Sequence, residues 1–184
     1  MAREDEIAAL GASADAPGPT RADKRHAKIT SRTLDIALGA LPLPLRVLDI
    51  GCGYGDLLRE LSERVPNIIE IVGIDPDREM LAEAHAYAGD VARLFHAGVE
   101  SLPFKDGHFD LIIALDSFGE WRDRQRGMAE IARVLHPAGV FVLADSSSRN
   151  VASALASSRL RLIRRENVER SLGRTKIRAF IASR

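Results

Sequence analysis

The chain has 184 residues, 46% of them hydrophobic, 28% charged and 5% aromatic, which is room for one domain with a sizeable core. Lysine plus arginine and aspartate plus glutamate both number 26, so no overall charge bias draws the chain to nucleic acid or to a membrane surface. Cys52 is the only cysteine, the histidines show no ligand spacing and no apolar run spans a bilayer, so a disulfide within the chain, a metal and a membrane span are all unexpected.

Residues 1–20 are acidic, then rich in small residues, Pro and Gly. They lack the basic start and apolar core of a signal peptide. They are expected to be a mobile lead-in to a cytoplasmic protein. From Thr20, "TRADKRHAKITSRTLDIALGAL" puts Thr30, Leu34, Ala37, Leu38 and Leu41 on one helical face, and Gly39 with "PLP" ends it. "RVLDI" is a short buried strand, and "DLLRELSERV" aligns Leu57, Leu58, Leu61 and Val65 on a helix. "IIEIVGID" is a second strand ending at Asp75, followed by the helix "DREMLAEAHAYA" with Met80, Leu81, Ala84 and Ala88 inward.

"ARLFHA" and "FDLIIALD" are strands three and four. "RQRGMAEIARVLH" is a helix with Met128, Ile131, Ala132 and Leu135 on its stripe, and "PAG" turns the chain into strand five, "VFVLAD". Beyond Asp145 the pattern predicts a short helix in "SSSRNVASALASS" and strands in "RLRLIRREN" and "KIRAFIAS". Alternation of strand and helix predicts an α/β fold: a mostly parallel sheet with helices on both faces. Residues 21–184 read as one unit, with a cap helix at 21–41, a core at 46–145 and a helix with strands at 146–184. From Arg159 onward bases outnumber acids, an edge that is either simply solvated or available to an anionic partner.

The stretch "VLDIGCGYGDLL" carries glycines at 51, 53 and 55, between a strand and a helix. Glycine permits positive φ and close approach of another group, and a helix N-terminus offers free N–H groups. The loop therefore suits an anionic or carboxylate-bearing ligand. A dinucleotide fingerprint needs glycine at position 56, where this chain has Asp56, so a nicotinamide oxidoreductase is disfavoured. Asp75 emerges on the same sheet edge. It can cap the next helix or accept hydrogen bonds from a ribose diol, and Asp77 is available to fill the cap instead.

"VLDIGCGYG", "VGIDPDREML", "AGVESLPFKDGHFDLIIA" and "EIARVLHPAGVFVLAD" together resemble the successive motifs of class I S-adenosylmethionine-dependent methyltransferases, in the branch that includes the ubiquinone/menaquinone C-methyltransferases. The resemblance covers about residues 46–145. It implies a Rossmann-like, seven-stranded sheet with its last strand antiparallel. It implies that Asp49 and the backbone of Gly51, Cys52 and Gly53 hold the methionine part of S-adenosylmethionine, that Asp75 takes the ribose and that Pro76 flanks the adenine. In the family pattern "GDAExLPF" an acid binds the adenine amino group and the next N–H reaches the ring. Here those positions are Gly98 and Val99, so the acid is missing while the backbone contact survives.

Leu115 would lie against the cofactor, with Asp116, Glu120 and Trp121 on the acceptor side. Asp116 and Glu120 are the candidate catalytic residues, to bind an acceptor ammonium or to act as base. Each also has a plain local role, Asp116 in a turn and Glu120 at a helix start. Trp121 reads as a pocket wall or a lid anchor. His26 either reaches the pocket or sits on a solvated helix face. The implied reaction is in-line displacement at a sulfonium methyl, in which orientation supplies about 7–11 kcal/mol in favourable cases. A compact chain argues for a small-molecule acceptor or for a second subunit completing the site, as in a homodimer. Nucleic acid is not the expected partner. The rival readings are a cofactor-binding protein without activity, and an RNA or protein methyltransferase that uses the basic C-terminal segment.

Overall fold

Seven strands and five α-helices follow one another in the computed structural model, which describes residues 21–146, 148–171 and 174–184. The lead-in expected at 1–20 lies outside the described residues. In chain order the elements are α1 (Arg21–Ala40), β1 (Arg46–Ile50), α2 (Asp56–Arg64), β2 (Glu70–Asp75), α3 (Arg78–Ala88), β3 (Arg93–His96), β4 (Phe109–Leu115), α4 (Arg124–Val134), β5 (Leu135–Asp145), α5 (Ser148–Ala156), β6 (Arg161–Ser171) and β7 (Arg174–Ser183). A 3-10 turn, Phe118–Glu120, follows β4.

The strand order is β3-β2-β1-β4-β5-β7-β6. The first five strands are parallel, and β7 runs antiparallel to both β5 and β6. The sheet thus has the expected Rossmann-like form. Its inner strands are near-continuous apolar runs because both faces are covered. Side chains alternate between those faces. Leu48, Ile50, Val72 and Ile74 pack with Met128, Ile131, Val151 and Leu155 of α4 and α5. Val47, Leu111, Ile113 and Val142 pack with Leu34, Leu58, Leu61 and Leu81 of α1, α2 and α3.

One stretch departs from the sequence reading. "PAG" is not a separate turn but lies within β5, where the ladder passes from Phe109↔Leu135 to Leu111↔Val140 through an irregularity. Proline cannot donate to a ladder, so His136, Pro137 and Ala138 bulge out exposed. The predicted helix accordingly stops at Val134.

Register positions the site. Ile50 pairs with Ile74 on one side and with Ala114 on the other. The residues just beyond these pairs, Gly51, Asp75 and Leu115, therefore meet at the carboxyl edge of the sheet. The strand order reverses between β1 and β4, and in open α/β sheets ligands bind at such a switch point. Above this edge lies α1. Its Arg25 forms a two-pronged ion pair with Glu169 of β6, at 2.7 and 2.5 Å, while Arg64 of α2 bonds Asp35 at 2.6 Å.

Candidate active site

Asp49 is 2% exposed and accepts no hydrogen bond among the described residues. Burial, and after it the nearby charge of Asp75, pushes its carboxyl up to about 7. Burial first, and then the charges of Asp49 and Asp75, hold the Cys52 thiol well above the ordinary cysteine range, so it stays protonated and packs as a small apolar group.

The amides of Gly51 and Cys52 both donate to the carbonyl of Ile74, at 2.9 and 3.0 Å. The Gly53 amide donates to Asp75 Oδ2 at 3.0 Å. The loop was expected to offer free N–H groups, but at these three positions the end of β2 consumes them. The Gly51 carbonyl takes no donor among the described residues. The loop together with Asp49 therefore presents acceptors, which suit a cationic group rather than an anionic one.

Asp77 caps α3, accepting from the amides of Glu79 and Met80. Asp75 is left to receive Gly53 N–H on one oxygen and Asp77 N–H on the other, at 2.8 Å. A carboxylate has about four lone-pair sites, so capacity for two hydroxyl donors remains.

The facing wall is the segment after β3. Val99 and Leu102 are buried within it. Glu100 Oε1 accepts the amides of Arg122 and Asp123 at 2.7 and 3.1 Å, which ties this wall to the start of α4. Arg133 reaches back from α4 to the carbonyls of Leu102 and Phe104 at 2.9 and 2.7 Å.

At the end of β4, Asp116 adopts φ +51°, its amide bonds the Ala144 carbonyl at 2.8 Å, and its side chain is exposed. Ser117 is buried and donates to the Ile50 carbonyl at 2.9 Å. Glu120 is exposed on the 3-10 turn. Trp121 is buried edge-on against Phe118. Every site residue named from the sequence lines one cleft of about 680 Å³: Asp49, Gly51, Cys52, Gly53, Asp75, Pro76, Gly98, Val99, Leu115, Asp116 and Glu120.

A family model described as a methyltransferase domain matches residues 48–143. The chain belongs to this methyltransferase domain family. It is 38% identical over 117 residues to the demethylmenaquinone methyltransferase of Thermus thermophilus, which covers 62% of this chain and 52% of that protein. To the ubiquinone/menaquinone biosynthesis C-methyltransferase of Geotalea daltonii it is 35% identical, over 56% of this chain and 46% of that one. The chain thus spans about half the length of the curated relatives it matches. The crystal structure of a SAM-dependent methyltransferase from Aquifex aeolicus superimposes with a TM-score of 0.70 at 19% identity, over 82% of this chain and 88% of the other, which shows a shared fold.

The cleft also takes in His26, which the sequence leaves between the pocket and a solvated helix face, and residues that the sequence does not assign to the site. His26 lines it, with Nε2 3.6 Å from Asp56. Thr30 lines it as well, and its buried hydroxyl has no partner among the described residues. Glu100 and Ser117 join them. Helical periodicity had marked Thr30 as inward-facing. Nothing local marks Ser117, whose partner is 67 residues away.

Proposed function

We propose that the chain is an S-adenosylmethionine-dependent methyltransferase that acts on a small-molecule acceptor in the cytoplasm. One observation carries this reading: a buried carboxylate without a donor, Asp49, stands next to last in β1, two residues before Gly51, with the half-used carboxylate of Asp75 at the end of the neighbouring β2. A ligand with a cation at one end and a diol further along satisfies both. A side chain added at Gly53 would meet nothing within 4 Å, which leaves open space for such a ligand against the loop.

When bound, S-adenosylmethionine supplies a methyl group on positively charged sulphur, reactive without further activation. The residues of this chain do the remaining work. Asp49 and the backbone of Gly51 to Gly53 hold the amino-acid end, and the small, un-ionised Cys52 keeps that loop compact. Asp75 accepts the ribose hydroxyls, Pro76 flanks the base, and Leu115 packs beneath. Asp116 and Glu120 stand on the acceptor side, where a carboxylate binds an ammonium or takes a proton, the latter worth about 10²–10⁴-fold where the acceptor needs deprotonation. Trp121 and the cap helix at 21–41 exclude water.

The core at 46–145 and the segment 146–184 are proposed to act with that helix as one unit, a reading supported by the Arg25–Glu169 pair. The names of the quinone-type relatives support a small-molecule acceptor. Among the described residues no helix is long and apolar enough to cross a membrane.

Thermal unfolding tests the proposal. S-adenosylmethionine or S-adenosylhomocysteine at 100 times its Kd should add about 2.7 kcal/mol of stability, while NADH should add none. A shift with NADH and none with the sulfonium ligand or its product would reverse the reading.

A further inference from the structure

Among the described residues, seven carboxyl groups line the cleft against one guanidinium, that of Arg122, and two imidazoles. The chain as a whole carries no net charge, so this excess of acid is local to the cleft. Five of the seven have a role already. Asp49 and Asp75 serve the cofactor end, Asp77 caps α3, Glu100 holds the amides of Arg122 and Asp123, and Asp56 lies beside His26. Asp116 and Glu120 remain. Both are exposed, and neither side chain has a hydrogen bond or ion pair among the described residues. Arg25 acts on Asp116 only through space, because both oxygens of Glu169 engage its guanidinium.

An aromatic corner adjoins these two carboxylates. Trp121 lines the cleft, its ring 5.0 Å from that of Phe118 between centroids. A β-carbon on Gly127 would lie 3.1 Å from Trp121 Cε3, so the glycine gives the indole its seat on α4. The Phe118 ring already carries one cation, the Arg124 guanidinium, 4.9 Å from its centroid. Asp116 is held in place by its amide and keeps a left-handed backbone, φ +51°. Non-glycine residues held in that region cluster at ligand sites. A separate observation comes from α1, where the buried hydroxyl of Thr30 lines the same cleft without a partner. An unpaired buried hydroxyl is costly, and a polar group on a ligand relieves that cost.

We infer that the methyl acceptor is a small cationic amine, held as its ammonium by Asp116 and Glu120 beside Trp121 and methylated on nitrogen. An ammonium offers several N–H donors to carboxylates, and its charge is attracted to an indole face. An acid-lined cleft draws cations in and repels carboxylate, phosphate and phenolate acceptors. The nitrogen must lose a proton before it can react. That proton passes to one of the two carboxylates, and the freed lone pair forms the bond to the methyl carbon. The carbon–sulphur bond breaks with its electron pair left on sulphur. A methylated ammonium and a neutral thioether result, and the carboxylic acid returns its proton to solvent.

The inference rests on the S-adenosylmethionine reading above, and the test keeps the two apart. The full chain, saturated with S-adenosylhomocysteine, is titrated by calorimetry with benzylamine, benzyl alcohol and benzoate. These share one ring and are cationic, neutral and anionic at neutral pH. Benzylamine should bind about tenfold or more tightly than either of the others. In the double variant Asp116→Asn, Glu120→Gln that preference should shrink by a similar factor, and its unfolding curve shows whether it is folded. Asparagine tolerates the left-handed backbone at position 116, so the fold is expected to survive. With S-adenosylmethionine labelled in its methyl group, label should pass to the benzylamine nitrogen. Benzyl alcohol or benzoate binding as tightly as benzylamine, no benzylamine binding, an unchanged preference in the folded variant, or no label on the amine would overturn the inference. Binding of S-adenosylhomocysteine would leave the cofactor reading intact in each of those cases. A folded wild-type chain that binds neither S-adenosylhomocysteine nor S-adenosylmethionine would overturn both.

Discussion

Ser117 stands against the α-carbon of Gly51: a β-carbon there would lie 2.5 Å from Ser117 Cβ. Ser117 cannot yield easily, because it is buried and its hydroxyl bonds the Ile50 carbonyl. Gly51 also sits at φ +72°, where a side chain is strained by about 1–2 kcal/mol. Overpacking adds about 1–3 kcal/mol. Gly51→Ala should therefore destabilise the chain by about 2–5 kcal/mol, read as a lower urea midpoint. Gly53→Ala, at φ +51° and facing open space, should lose only the backbone share while weakening ligand binding. Equal stability losses in the two variants would contradict this geometry.

Asp49 sets a pH dependence. In the folded chain its carboxyl holds a proton up to about pH 7. The unfolded chain releases it near an ordinary value of about 3.9. Between those values the folded state binds the extra proton, so stability falls as pH rises. The cost is absent below about pH 4 and complete above about 7, where it reaches about 4 kcal/mol. Asp49→Asn removes it. The variant's advantage in urea midpoint should grow between pH 5 and pH 8, whereas parallel curves would show that Asp49 ionises normally. A cationic ligand favours the ionised carboxylate, so binding at pH 6 should release a proton, visible as a dependence of the calorimetric heat on the buffer.

Arg133 is the strut of the wall that carries Val99 and Glu100. It bonds the Leu102 and Phe104 carbonyls and pairs with Glu130 and Asp106. Arg133→Met keeps most of the apolar stem but leaves two carbonyls without their donor. Each hydrogen bond to a charged group contributes about 1.5–3 kcal/mol, and partial exposure of the guanidinium reduces that. A loss of about 2 kcal/mol is expected, together with faster amide exchange at 99–106. Unchanged exchange there would show that the wall holds itself.

Much of this was legible in the sequence because the signals are local. Apolar runs ending in Asp49 and Asp75, with amphipathic stretches between them, specify strands and helices and the edge on which they end. The spacing of Gly51, Gly53 and Gly55 marked the loop. Its hydrogen bonding was not legible, because the donors of Gly51 and Cys52 are taken by Ile74, a partner brought in by the sheet register. The same holds for Ser117 against Gly51, and for Glu100 with Arg122 and Asp123, contacts that span two or more elements. The bulge at His136–Ala138 was read as a turn because proline and glycine signal either one, and only pairing with Phe109 and Leu111 decides between them.

Calorimetric titration of the full chain with S-adenosylmethionine and with its thioether product S-adenosylhomocysteine, beside Asp75→Ala, tests most directly whether the β1 and β2 carboxylates hold the cofactor. The predicted result is saturable binding at one site per chain, weakened by about tenfold or more in the variant, which loses its bonds to the ribose and to the Gly53 amide. A folded wild-type chain that gives no binding heat, or a variant that binds as tightly as the wild type, would contradict it.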